Sequence, residues 1–226
     1  MSAGTAKARQ TRTKLLEGAL RTLTEQGIAK TSARTVAAAA GVNQALVFYH
    51  FGTVDELLAA ACQYGAEQTV ARYRERLAEV TSLSELLAVG REIHERERDG
   101  GHVALLGQLL AGAPTHPALG PATAAGLRLW VAEIERVLAR VLARTPFAEF
   151  VDPAGLARAV AASFVGIELY EGADAEGAAA ALLALDQLAV LVGALEELGP
   201  VAQRAVRHRL RRVGGREGAG PPTGAP

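Results

Sequence analysis

Residues 31 to 58 read TSARTVAAAAGVNQALVFYHFGTVDELL, and this stretch decides the fold. Thr31 or Ser32 can accept a hydrogen bond from the free amides at a helix start, so either caps a short helix over Ala33 to Ala40. On it Val36 and Ala37 point inward and Arg34 points out. Gly41 interrupts that helix, and Asn43 can cap another that runs through Phe51. Val47 and Phe51, four apart, take its buried side; Gln44, Ala45, Phe48 and Tyr49, with Leu46 beside them, face outward. Val36, Val42 and Val47 supply a small core between the two helices. Two short helices joined across Ala40-Gly41-Val42 describe a helix-turn-helix. In that arrangement the second helix enters a DNA major groove by its N-terminal residues, and the first lies across the phosphate backbone.

Working outward, Leu15, Leu16, Ala19, Leu20 and Leu23 recur at three- and four-residue spacings, one buried stripe of a helix from Ala8 to Gln26 that Gly27 ends. On the other side, Thr53-Val54-Asp55-Glu56 has the form of a capping box, which starts a long helix reaching to about Glu79. Further helices are expected over Leu83 to Arg98, His102 to Ala111, Pro117 to Ala143, Pro153 to Tyr170, Glu176 to Leu198 and Val201 to Val213, between Gly, Pro and Asp breaks. Aromatic residues are only 4% of the chain and no segment alternates as a strand does, so the protein is expected to be all-α. The expected organisation is a three-helix unit at 1–52, a larger helical body at 53–213 and an unstructured tail at 214–226.

The formal net charge of zero conceals opposed segments. Residues 1–52 carry a net charge of plus five, residues 53–199 minus ten, and residues 200–226 plus five. A basic first quarter on an acidic body is the footprint of a nucleic-acid binder that keeps its body off the phosphates. The Arg-rich stretch from Arg204 to Arg212 reads as a solvated terminal helix.

The basic, polar start lacks an apolar run of the secretory kind, and the longest polar-free stretch, Gly177 to Leu185, is well short of the roughly 20 residues a membrane span needs. Cys62 is alone, so no internal disulfide is possible. A cytoplasmic protein that does not engage a membrane is expected. There is no Gly-x-Ser-x-Gly elbow, no phosphate-binding loop and no His-Glu-x-x-His, and the histidines at 50, 94, 102, 116 and 208 do not have metal-ligand spacing. No catalytic activity, metal or cofactor is expected, although His94 with Glu97 or Glu168 would be the pair an enzyme would use.

The order Thr-Ser, Val-Ala, Ala-Gly-Val, Phe-Tyr-His-Phe-Gly and Asp-Glu-Leu between Thr31 and Leu58 resembles the TetR family of bacterial transcriptional regulators. The resemblance implies a homodimeric repressor that a small molecule releases from a palindromic double-stranded operator. It implies that Gln44 and Ala45 approach base edges, where Gln can bond adenine and Ala can touch a thymine methyl. Ser32, Asn43, Tyr49 and His50 match positions that contact phosphates, with Arg34 and Phe48 on the same exposed surface. Two positions depart from the family pattern: Ala45 stands where Gly is frequent, and Val54 where Lys is usual. The second departure removes a phosphate contact that Lys7, Arg9, Arg12 or Lys14 can restore, and it leaves a ligand-sensing dimeric adaptor without DNA binding as the alternative reading.

Regulators of this kind use their later helices for dimerisation and effector binding. Leu156, Val160, Phe164 and Ile167 form one apolar stripe, and Leu182, Leu185, Ala189, Val192 and Leu195 form another; paired across two subunits they would build a four-helix bundle. The small residues Ala159, Ser163, Gly166 and Gly193 would allow close approach. His94, His102, Gln108, His116, Trp130, Glu168 and Tyr170 are polar-tipped or aromatic groups on otherwise aliphatic helices, the sparse equipment of a pocket for a partly apolar ligand.

Overall fold

A computed structural model describes residues 3–114, 117–145, 147–196 and 199–217. Among the described residues ten α-helices follow in order: α1 Ala3–Gln26, α2 Ala33–Ala40, α3 Ala45–Phe51, α4 Val54–Ala78, α5 Leu83–Asp99, α6 His102–Gly112, α7 Leu119–Leu142, α8 Pro153–Glu171, α9 Ala175–Glu196 and α10 Pro200–Glu217. Among the described residues there is no strand.

The helix starts follow from local chemistry. Ser32, not Thr31, caps α2: its hydroxyl accepts from the Thr35 amide at 3.2 Å while the Thr35 hydroxyl accepts from the Ser32 amide at 2.9 Å. Thr53 and Glu56 close the expected box on α4. Ser82 caps α5, and Asp152 caps α8 ahead of Pro153 in its first turn. Two boundaries differ from the sequence reading by more than two residues. Helix α1 begins at Ala3, carrying the basic residues from Lys7 onward on a helix, and α10 extends to Glu217, four residues into the stretch expected to be an unstructured tail. Residues 218–226 lie outside those described.

Two cores hold the chain. The first joins Leu15, Leu16, Ala19 and Leu23 of α1 to Val36 of α2, Val47 and Phe51 of α3 and Leu57, Leu58 and Ala61 of α4. It does not stop at residue 52, because Leu105 and Leu109 of α6 and Leu119 of α7 belong to it. The second gathers Tyr73 and Leu77 of α4, Leu86 and Val89 of α5, Val137, Leu138 and Val141 of α7 and Ala157 of α8. Helix α4 enters both cores, and at about 1.5 Å per residue its 25 residues make it the spine of the molecule. Arg140 secures its far end by donating to the carbonyls of Leu77 and Val80 at 3.1 and 3.0 Å.

Candidate DNA interface and ligand cavity

Helix α3 is amphipathic over barely two turns. Val47 is fully buried and Phe51 is 9% exposed, whereas Phe48 and Tyr49 are 49% and 78% exposed. Large aromatic surface left in water on a short helix marks a surface made for contact. Gln44 and Ala45 are exposed at its start, and Leu46, expected near the outer face, instead packs partly against the first core. Asn43 caps the turn as expected, its Oδ1 accepting from the Ala45 amide at 2.8 Å, which leaves its side-chain NH2 to donate elsewhere. His50 is half-buried, edge-on to Tyr49 at 5.0 Å between ring centroids. Gly41 lies in the left-handed region at φ 65°, the conformation the turn between α2 and α3 requires.

Around this helix the charge is positive. Arg34 is exposed in the first turn of α2, and the Arg12 guanidinium lies 4.9 Å from the centre of the Phe51 ring, a cation–π contact that holds one arm of α1 beside α3. Ser32 commits its hydroxyl to its own helix cap. Val54 packs partly against the first core and faces the protein where the family pattern has a Lys.

The second feature is a cavity of about 260 Å³ lined by α4, α5, α6, α7 and α8, with Leu20 of α1. Of the expected pocket residues, His94, Trp130, Glu168 and His102 line it. Gln108 and Tyr170 do not. Gln108 Oε1 accepts from the Ile28 amide at 3.3 Å, tying α6 to the end of α1, and the half-exposed Tyr170 donates to Asp174 at 3.1 Å. His116 lies outside the described residues. Burial pushes the Cys62 thiol up to about 11, so this wall atom stays neutral.

The apolar stripe expected at a dimer interface is turned inward instead. Val160 and Phe164 line the cavity, Ile167 is buried, and Leu156 packs on the second core. On α9, Ala189 is buried and Leu185 is half-buried; the side chains of Val192 and Leu195 are not among those described. The physical reason is that Leu156, Val160, Phe164 and Ile167 share one face of α8, and the cavity and second core take that face. Its other face, with Ala159, Ser163 and Gly166, is exposed, as are Leu183, Val190 and Leu191 of α9.

Glu97 and Glu168 line the cavity, and Glu171 lies beside them against His94. Glu97 accepts from the Tyr73 hydroxyl at 2.7 Å and from Arg72 at 2.9 Å, with His102 Nδ1 at 2.8 Å. Burial alone would raise the Glu97 pKa, but the bonds from His102 and Tyr73 and the Arg72 charge hold it below the ordinary carboxylate range. Glu171 accepts from Arg98 and from His94 Nε2, each at 2.8 Å, and the Arg98 bond lowers its pKa. Burial raises the pKa of Glu168. The Arg72–Tyr73–Glu97 group escaped sequence reading because Glu97 lies 25 and 24 residues from the adjacent Arg72 and Tyr73, on another helix, with no spacing rule to join them. Among the described residues no group of three or more His, Cys, Asp or Glu is placed to hold a metal ion, and no single helix is long and apolar enough to cross a membrane.

Residues 15–61, from α1 into α4, match the model of the bacterial regulatory proteins of the tetR family. Among solved structures, the multidrug binding protein EbrR complexed with imidazole is 30% identical with a TM-score of 0.57, over 79% of this chain and 89% of that one. The TetR transcription regulator from Haloarcula marismortui is 19% identical with a TM-score of 0.65, over 80% and 97% of the two chains. Salmonella enterica GusR is 23% identical with a TM-score of 0.63, over 82% and 95%. A search of curated protein sequences finds no match.

Proposed function

The chain belongs to the TetR family of ligand-responsive, non-enzymatic DNA-binding transcriptional regulators, and from that membership we propose that it is a cytoplasmic, homodimeric repressor released from a palindromic operator by a small molecule. One observation carries the reading: α6 borders the cavity through Leu105 and Leu109, and the same two side chains belong to the core that α1 shares with α2, α3 and α4. A ligand that moves α6 acts on α1, against which α6 packs, and through α1 on the core that the reading helix shares, so cavity occupancy and operator affinity are coupled through differential binding to two arrangements.

Each subunit would set α3 into one half-site, with Gln44 and Ala45 at base edges and Tyr49, His50 and the Asn43 amide at phosphates. Half-sites one helical turn apart or a multiple of it require the two heads to stand about 34–36 Å apart or a multiple of that. The exposed outer faces of α8 and α9 are the surfaces that would pair the subunits, since their small residues admit a close helix crossing and Leu183, Val190 and Leu191 are left in water.

The test is a mobility-shift titration on the DNA flanking the protein's own gene. Retarded DNA that is lost on combining Gln44→Ala with Tyr49→Ala supports the reading. No shift at low salt, or an undiminished shift with the double variant, removes the DNA-binding head from the proposal and leaves the adaptor.

A further inference from the structure

The charged side chains on the cavity wall are answered from within the chain. Glu97 accepts from Tyr73 and Arg72 and has His102 Nδ1 at 2.8 Å, and Glu168 pairs with His94 Nδ1 at 3.6 Å. A charged ligand finds no unspent counter-charge there, and to gain one it must break a pair and leave a buried ion alone. The rest of the wall is mostly aliphatic, so an ion would also lose its hydration on entry.

One neutral polar group on the wall is unspent. Thr123 of α7 is 6% exposed, and its hydroxyl is buried without a hydrogen-bond partner among the described residues. A threonine inside a helix can donate to the carbonyl four residues back. Thr22, Thr24 and Thr69 do so at 2.8, 3.0 and 3.0 Å, and Thr69 shares the cavity wall. Thr123 makes no such bond to Leu119, and its hydroxyl proton is left without an acceptor. A buried donor in that state costs free energy that an incoming acceptor recovers. The position is firmly held: Leu119, one turn earlier, is buried in the first core, and at Gly126, one turn later, α7 runs so close to α4 that a Cβ would stand 3.1 Å from that of Ala66.

We infer that the effector is an uncharged, largely apolar molecule with a carbonyl oxygen, such as a ketone, an ester or a lactone, and that this oxygen accepts from the Thr123 hydroxyl. A hydrocarbon of the same shape leaves the donor unpaired. A carboxylate could accept from Thr123, but it carries a charge that the paired groups on the wall do not neutralise. The inference rests on the reading of this cavity as the effector site.

Trp130 is the only tryptophan in the chain and it lines the cavity, so its fluorescence, read beside thermal protection, reports occupancy. The full-length protein is titrated at neutral pH with three probes of one shape: benzylacetone, butylbenzene, in which a methylene replaces the carbonyl, and hydrocinnamate, in which an oxyanion replaces the methyl. Benzylacetone should bind about tenfold more tightly than butylbenzene, because it meets a donor otherwise left unpaired, and hydrocinnamate should bind least. Thr123→Val keeps the shape of the side chain and should bring benzylacetone down to the level of butylbenzene while leaving butylbenzene unchanged. The fold loses no hydrogen bond in that variant, so it should melt no lower than the parent; a fall of several degrees would show the hydroxyl to be bonded in the free protein and would overturn the inference. Equal binding of benzylacetone and butylbenzene, or hydrocinnamate as tight as the ketone, also overturns it while keeping the cavity as a ligand site. Absence of any Trp130 response and of thermal protection by all three probes overturns the cavity reading as well. Benzylacetone that binds through Thr123 yet leaves operator affinity unaltered supports the carbonyl contact and refutes the regulatory coupling on its own.

Discussion

Gly18 sits in α1 where that helix crosses α2, and replacing it with alanine tests what holds the reading head together. The added methyl would meet Ala40 Cβ at 2.9 Å, Ala40 N at 3.0 Å and the Val36 carbonyl oxygen at 3.1 Å. Carbon atoms in contact rest at about 3.5–4.0 Å, so the approach is short by roughly half an ångström to one ångström. Two of the three atoms are α2 main chain, which no rotamer change can move, so α2 must back away from α1. Val36 and Ala37, both buried there, lose part of their dispersion contact over a gap of that size. Overpacking of this kind costs about 1–3 kcal/mol, and removing a glycine from a helix interior returns about 1 kcal/mol. The expected net is a loss of about 1 kcal/mol, a Tm lower by roughly 2–4 °C for a chain of this size. Gly18→Val adds two further carbons and forfeits most of the propensity gain, so it should lose about 2–3 kcal/mol. Thermal unfolding followed by circular dichroism measures the order, and a mobility shift should show operator affinity falling in the same order, because α2 carries α3 through the Gly41 turn. A Gly18→Ala protein that melts above the parent would refute the argument that this close crossing fixes the head.

Arg12, stacked on Phe51 beside α3, is expected to replace the phosphate contact missing at Val54, so Arg12→Ala should reduce the slope of log affinity against log salt by about 0.9 per subunit; an unchanged slope would remove Arg12 from the interface. Leu191 is 62% exposed on α9, and Leu191→Glu should convert the dimer to monomer in sedimentation analysis while leaving the helical spectrum intact; a surviving dimer would place the interface elsewhere. The Glu168 carboxyl has its folded-state pKa raised by burial, with His94, Glu171 and Glu97 as the charged groups facing it. A raised carboxyl pKa contributes stability below its unfolded value of about 4.5, and that contribution is lost as pH rises through the folded value. Glu168→Gln should therefore raise Tm at neutral pH, with the gain fading as pH falls toward 4.5; a lower Tm at neutral pH would show that the pairing with His94 outweighs the burial.

Much of the DNA-facing half was legible because its determinants are local. A cap and its partner lie three residues apart, as Thr53 and Glu56 do, and Val47 and Phe51 share a face by helical period alone. The two mismatched boundaries, at Ala3 and Glu217, lie at chain ends, where little apolar pattern exists to read. The body was less legible because an apolar stripe has the same spacing whether it meets its own chain or another copy. Leu156, Val160, Phe164 and Ile167 were a correct stripe with the wrong neighbour, and only the position of α8 against α7 and the cavity decides that. Gln108 misled for a related reason: a lone polar side chain on an apolar helix signals a partner, and here the partner is the Ile28 amide 80 residues away.

The presence of Leu105 and Leu109 in the core of the first three helices has a consequence for how such proteins can be recombined. A head cut at residue 52 would separate Leu15, Val36 and Val47 from the side chains of α4, α6 and α7 that complete their core. The operator-reading unit is therefore not portable, and a chimera that exchanges heads between regulators must carry across the α6 face that matches them. Any drift in the head's core must be answered by drift in a helix that also borders the effector, so operator choice and ligand choice are bound to evolve under a shared constraint.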